Sequence, residues 1–294
     1  MRTPKYLSPT SFMLYEKDRD EYYQRYMSPA PLAKQVQTVE MAIGSAFDFS
    51  VKQKICTDLK QELPKGLKLQ VDNPLVAEEA LAEGKLVLDL YVQSGAYAAL
   101  LIESAGSRMD MEFSVAGILH SACGAVPLSG RPDAVFKGCI MDWKVNSWRR
   151  GCSPAPGYVG IYDRSGPCPR RSRGDCVPVM VGGVICNLGA GFKPDWEIQI
   201  GIYSMIIGQD LLGDGRVIAA VDQIVGPGSA GRIAKHRAVI PVARIENLKE
   251  RLFKAWEHIS GKVPFWDELS FEDCAARMRM LDKAATVLKD KIFR

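Results

Sequence analysis

Histidine is almost missing from this chain. The three present, His120, His236 and His258, lie far apart in the sequence. Such spacing offers no local pair of imidazoles for a zinc-type centre, so all three are expected to be structural or surface residues. No two of the eight cysteines stand at C-x-x-C spacing. Cys152, Cys168, Cys176 and Cys186 share one stretch at irregular intervals. That pattern suits scattered reduced thiols better than a zinc or iron–sulfur site. No apolar run approaches the ~20 residues of a membrane span, and no apolar segment follows Met1-Arg2-Thr3-Pro4-Lys5. Neither a membrane partner nor a secretory signal is therefore expected, and a cytoplasmic location is. No internal repeat is present, which excludes a solenoid or array.

What is present is ordinary for a folded chain. Of 294 residues, 47% are hydrophobic and 24% charged, a composition that excludes a disordered tail, a collagen-like fibre and a coiled-coil rod. The length suffices for one large domain with a substantial core. Net charge is only +4, but it is unevenly spread. Between Ser147 and Cys176 lie six arginines (Arg149, Arg150, Arg164, Arg170, Arg171, Arg173) and two acids (Asp163, Asp175). That one Pro/Gly-rich stretch carries the whole excess, and such a patch points to a polyanionic partner.

The first hundred residues look helical. Ser8 can cap a helix with Pro9 at its first position. Phe12, Tyr15, Tyr22, Tyr23 and Tyr26 then form an aromatic stripe expected to face a core. Further helices are expected over Met41–Leu59 and Pro74–Leu101. Near Met109 the pattern changes. Met111–Val115, Arg131–Phe136 and Cys139–Val145 read as strands, and residues 146–193 as an insertion of little periodicity. Pro194 opens a helix through Trp196, Gln199, Tyr203 and Ile207. Strands follow at Val217–Val225 and Ala238–Val242, and amphipathic helices at Ile245–Ile259 and Phe271–Lys291. The expectation is one α/β domain over 1–294 with a mixed central sheet flanked by helices. It divides into a helical part (1–105), a core (106–260) holding the insertion, and a C-terminal helix (261–294).

Lys137-Gly138 separates two strand-like runs, as in a two-residue hairpin. In that register Phe136 lies opposite Cys139, Val135 opposite Ile140, and Asp133 opposite Asp142. Alternation then places Asp133, Asp142 and Lys144 on one face. Directly opposed side chains have Cβ atoms ~4.5–5.5 Å apart. Like charges at that distance repel, and a divalent cation turns the repulsion into binding. Lys144 beside them can orient water or stabilise charge on a phosphate. The set is suited to hydrolysing a phosphodiester.

Three ordered segments carry a wider likeness: Gly130-Arg131-Pro132-Asp133, Met141-Asp142-Trp143-Lys144 and Glu197-Ile198-Gln199-Ile200-Gly201-Ile202-Tyr203. Together they resemble the PD-(D/E)XK nuclease superfamily, in its RecB-like exonuclease branch, and the Pro/Gly-rich segment after Lys144 resembles that of phage-encoded members. Leu7-Ser8-Pro9-Thr10-Ser11 resembles that branch's opening helix. Gly44-Ser45-Ala46-Phe47-Asp48 stands where the branch has Gly-x-x-x-His, and Glu112 where members commonly carry a glutamate. The resemblance runs in order over residues 7 to 260 and implies a restriction-endonuclease-like core.

The resemblance makes Asp133, Asp142 and Lys144 catalytic. Asp133 and Asp142 would bind metal, joined by Asp48 and Glu112. Gln199 and Tyr203, one helical turn apart, would support the site and contact DNA. Arg149, Arg150, Arg170, Arg171 and Arg173 would hold the DNA backbone. Mg²⁺ or Mn²⁺ is the implied cofactor, because carboxylates suit hard cations; an iron–sulfur cluster is not expected. The implied activity is a metal-dependent deoxyribonuclease, an exonuclease in recombination, repair or replication. A structure- or site-specific endonuclease and a non-catalytic DNA-binding or assembly module are the alternatives. Some relatives form rings around DNA, so a homo-oligomer and a recombination or replication protein join DNA as implied partners. The chain departs from the family in having Asp48 for the usual histidine and in its Arg-rich insertion.

Overall fold

The computed structural model describes residues 3–33, 36–112, 114–121, 124–168, 177–181, 183–188, 192–207, 217–226 and 231–261. Helix α1 (Pro9–Lys17) begins as the sequence indicates. The Ser8 hydroxyl accepts the Ser11 amide at 3.2 Å, and Ser11 Oγ accepts the Ser8 amide at 2.9 Å. That reciprocal cap satisfies two donors a helix start leaves orphaned. Asp18 ends α1 and caps α2 (Arg19–Tyr22), which runs into a π-helical turn at Tyr23–Met27. Helix α3 (Val39–Asp58) starts at Thr38 and buries Ala42, Ile43, Ala46, Phe47, Val51 and Ile55, the spacing of one helical face. Helices α4 (Ala77–Gln93) and α5 (Ala96–Ser104) meet at Gly95, whose φ of +84° allows the sharp break between them. Gly84 lets α4 lie directly on α3: a Cβ there would come within 2.7 Å of the Ala46 Cβ.

The strands follow. They are β1 (Asp110–Met111), β2 (Val115–Ser121), β3 (Gly124–Gly130), β4 (Ala134–Phe136), β5 (Cys139–Asn146), β6 (Gly160–Asp163), β7 (Gly166–Cys168), β8 (Val177–Val181) and β9 (Val184–Leu188). After α6 (Pro194–Ile207) come β10 (Val217–Val225), β11 (Arg232–Ile240) and α7 (Val242–Ile259). Among the described residues, nine strands form one mixed sheet in the order β1-β4-β5-β10-β11-β6-β7, with β9 also on β11 and β8 on β9. Most pairings are antiparallel; β5 with β10 and β9 with β11 are parallel. Strands β2 and β3 form a separate hairpin.

Alternation on the central strands divides the core. Cys139, Met141 and Trp143 of β5 pack with α3, α4 and α5, whereas Ile140 packs with α1, α6 and α7. All nine residues of β10 are buried, which explains its nearly unbroken apolar run. The protein is thus mixed α/β, with a mostly antiparallel central sheet flanked by helices. No single helix among the described residues is long and apolar enough to cross a membrane.

Three expectations need correction. Met111–Val115 is not one strand: the chain breaks at Glu112, whose φ is +54°, and β2 belongs to a second sheet that was not anticipated. Residues 146–193 are not featureless either. They contain β6 to β9, two hairpins that extend the main sheet. These strands are three to five residues long, too short for a period of two to stand out among glycines and prolines. Helix α7 also starts at Val242, a residue expected to end a strand. The helix expected over Phe271–Lys291 lies outside the described residues.

Candidate metal centre

The hairpin register is the one read from Lys137-Gly138. Ala134 pairs with Met141, Val135 with Ile140 and Phe136 with Cys139. Lys137 and Gly138 both have positive φ, 46° and 72°, as a type I′ turn requires. Asp133, just before β4, is therefore carried beside Asp142. Its Oδ2 accepts the Trp143 amide at 3.0 Å. Lys144 Nζ lies 2.5 Å from Asp142 Oδ2, and Gln199 of α6 donates to Asp142 Oδ1 at 3.0 Å. Gln199 also donates to the Tyr203 hydroxyl at 3.2 Å. The edge of the Tyr203 ring lies against Gly130, where any Cβ would sit 2.4 Å from it. Gln199 and Tyr203 thus share one helix face and brace Asp142.

From the other side, α3 contributes Asp48. Oxygen atoms of Asp48, Glu112 and Asp133 all lie within 4.8 Å of one another. At an effective dielectric of ~20, two like charges about 4 Å apart cost ~4 kcal/mol, a large share of a domain's net stability. Lys52, one turn along α3, offsets that repulsion. Its ammonium bonds Asp48 at 2.7 Å, Asp133 at 3.0 Å and Glu112 more closely still. The Lys52 side chain is fully buried and its charge also sits over the Trp143 ring. Arg131 takes the second oxygen of Glu112 and donates to the Gly66 carbonyl at 2.8 Å. The left-handed backbone at Glu112 is what aims this carboxylate inward between the two cations.

Titration behaviour follows from this crowding. Burial, then the negative charge of Asp133, pushes Asp48 up to about 8, with Lys52 opposing. Burial and Asp133 push Asp142 up to about 7 against the pull of Lys144. Asp133 is also raised by burial, but Lys52, Lys144 and the Trp143 amide outweigh it and hold the carboxyl below its ordinary value. Lys52 is lowered by burial and raised further by its three carboxylates, so it remains an ammonium. With all four acids deprotonated they face three cations, a net of one negative charge. Two clefts flank the site. One, of about 860 Å³, is bounded by Lys5, Tyr6, Tyr26 and Arg131; the other, of about 790 Å³, by Lys65, Arg108 and Glu112.

The residues anticipated for metal binding, Asp48, Glu112, Asp133 and Asp142, therefore come together with Lys144, Gln199 and Tyr203. Lys52 and the Arg131–Glu112 pair were missed. The signal for Lys52 was its i+4 spacing from Asp48 on a helix; for Arg131 there was none, since its partner is fixed by the break at Glu112. Arg149 lies against α4, paired with Glu79 and with Glu83 at 3.8 Å. Arg150 is exposed. Arg170, Arg171 and Arg173 lie outside the described residues. Of the histidines, His236 is buried beside Gln223 at 3.2 Å and His258 bonds the Tyr15 hydroxyl at 2.6 Å.

The clustered oxygens fit a hard divalent cation by the nature of their donors. No family model matches this chain, and no curated protein matches it. Among solved structures, the chain is similar to the protein described as SSO0001 at 12% identity, over 89% of this chain and 95% of that one, with a TM-score of 0.26. A likeness of that degree carries no argument about fold or activity.

Proposed function

We propose that this chain is a divalent-metal-dependent DNA nuclease of the PD-(D/E)XK superfamily, RecB-like in plan, acting as an exonuclease in recombination, repair or replication. The observation that carries this reading is the meeting of Asp133 and Asp142 at the mouth of the β4–β5 hairpin, with Lys144 on Asp142. Asp133 and Asp142 would hold Mg²⁺ or Mn²⁺. The bound ion would supply charge neutralisation at the phosphate and a more acidic water. Asp142, its carboxyl raised to about 7 by burial and by Asp133, would hold the ion as a carboxylate. Lys144 is partly exposed and held by one carboxylate, so its ammonium can turn to the scissile phosphate. Gln199 and Tyr203 keep Asp142 from following it.

The test is cleavage of linear and circular DNA with and without EDTA. EDTA-sensitive loss of linear DNA alone supports the exonuclease. Cutting of covalently closed circles supports an endonuclease instead. Binding without cleavage at any Mg²⁺ or Mn²⁺ concentration overturns the catalytic reading and leaves a DNA-binding module.

A further inference from the structure

The carboxylates offer two adjoining cation positions that share Asp133. One lies between Asp133 and Asp142. The other lies among Asp48, Glu112 and Asp133, and the Lys52 ammonium stands in it. An ammonium has three donors, and here each is directed at a different carboxylate. Those carboxylates come from α3, from the β1–β2 link and from the foot of β4, so the tripod is set by the fold rather than by one local turn. Glu112 has both oxygens engaged, one by Lys52 and one by Arg131.

Lys144 is held quite differently. It has one carboxylate partner and a side chain 28% exposed, whereas the Lys52 side chain is 0% exposed. An arriving cation can displace Lys144 into solvent. Displacing Lys52 would strand an ammonium in the core. The charges agree: with all four carboxyls ionised the centre carries −1, so one divalent ion brings it to +1, and a second would bring it to +3.

We propose that Lys52 is a built-in cation occupying the second of two metal positions, so that this protein carries one metal ion where its four carboxylates could hold two. In two-metal nucleases the paired ions sit ~3.5–4 Å apart; here a lysine takes one of those places. Lys52 is then a positioning residue that fixes Asp133 for the ion on its other side. This inference rests on the metal-dependent reading above for the first ion, but its test does not depend on cleavage.

The experiment counts Mn²⁺ bound to the EDTA-stripped full chain, without DNA, by the loss of the free-ion EPR signal during titration. Wild type is expected to bind one Mn²⁺ and Lys52→Ala two, with circular dichroism confirming that the variant is folded. Lys52→Gln, which keeps the volume and offers an amide oxygen to a cation, is the second variant for the case that the alanine does not fold. It too is expected to bind one ion more than wild type. Equal counts in wild type and in a folded Lys52 variant overturn the inference, and so does a wild type that binds two. A wild type binding none defeats the metal-dependent nuclease instead. In that case one ion bound by the Lys52 variant still supports the inference, and none overturns it.

Discussion

Two groups of charges meet at the central strands, and they are held in opposite ways. Asp222 of β10 faces Lys235 at 3.2 Å and Arg237 at 2.8 Å, and Arg237 also reaches Glu103 of α5 at 2.7 Å. Two acids meet two bases, and the Asp222 and Arg237 side chains are wholly buried. Burial raises the Asp222 and Glu103 carboxyls, but Arg237 and Lys235 outweigh it, so both end below their ordinary values. At the metal centre four acids meet three bases, and two of the acids end above theirs. Trp143 touches both groups. Its indole N–H donates to the Tyr91 hydroxyl, itself bonded to Asp222, and its amide donates to Asp133. The balanced, sealed cluster is a structural device. The unbalanced one has one acid more than it has bases and borders two clefts.

Removing one carboxylate from each cluster should therefore have opposite consequences. Asp222→Ala leaves Arg237 and Lys235 without a central partner, and breaking a buried pair costs ~3–5 kcal/mol. Denaturant unfolding should show that loss. Asp142→Ala relieves repulsion with Asp133, so the protein should stay folded and lose no more than ~1 kcal/mol, while cleavage disappears. Lys144→Ala should lower the rate by ~10²–10³, as for other lost electrostatic stabilisers. If Asp142→Ala unfolds the protein as badly as Asp222→Ala does, the distinction between the clusters is wrong.

The pH dependence sharpens the same contrast. Asp222 and Glu103 are lowered, so their contribution to stability is present at neutral pH and lost in acid. Asp48 and Asp142 are raised, so theirs is complete below the ordinary value of 3.8 and lost as pH rises through about 7 and 8. His236, held down to about 3 by burial and Arg237, favours folding as pH climbs to its ordinary 6.5 and adds nothing above it. Metal-free Tm should accordingly fall between pH 6.5 and about 8.5. Asp48→Asn should flatten that slope. Saturating Mg²⁺ should reduce it, because an ion held by Asp133 and Asp142 needs the Asp142 carboxyl deprotonated. A metal-free Tm that is level over this range would show that the two carboxyls are not raised.

How much of this was legible in sequence depended on how local the cause was. The Ser8–Pro9 helix start, the Lys137-Gly138 turn with its register, and the Gln199–Tyr203 face are each decided within a few residues, and each is found as expected. What escaped notice depends on distant partners. The tripod around Lys52 joins residues 48, 52, 112 and 133, and only the first two are neighbours in sequence. The break at Glu112 was hidden because a glutamate carries none of the signals of a left-handed position that glycine or asparagine would. The Asp222 cluster was also missed, since strands reading Val-Asp-Gln and Lys-His-Arg look like solvated edges until their partners are known.

Smaller effects are expected where Asp142 is only braced. Tyr203→Phe removes the acceptor for one Gln199 hydrogen bond, worth ~0.5–1.5 kcal/mol, and should leave Mn²⁺ binding in place. Gly130→Ala forces the Tyr203 ring away, and overpacking of that kind costs ~1–3 kcal/mol. Its effect on cleavage should exceed that of Tyr203→Phe, because it moves the ring rather than trimming it. Equal activity in the two variants would mean that the position of Tyr203 does not govern Asp142.

The smallest expected effect separates two adjacent arginines. Arg149 is already engaged by Glu79 and Glu83 of α4, so its charge is largely cancelled by the fold. Arg150 beside it is exposed and free to meet a phosphate. A lost phosphate contact reduces the slope of log affinity against log salt by ~0.9 on duplex DNA. Anisotropy titrations over a range of salt should find that reduction, in whole or part, for Arg150→Ala and almost none for Arg149→Ala. The triple substitution of Arg170, Arg171 and Arg173 should give a larger reduction than either if the stretch as a whole follows the DNA backbone. Equal slopes for all three proteins and wild type would detach the arginine-rich stretch from DNA binding, and its positive charge would then have to be matched by another acidic partner.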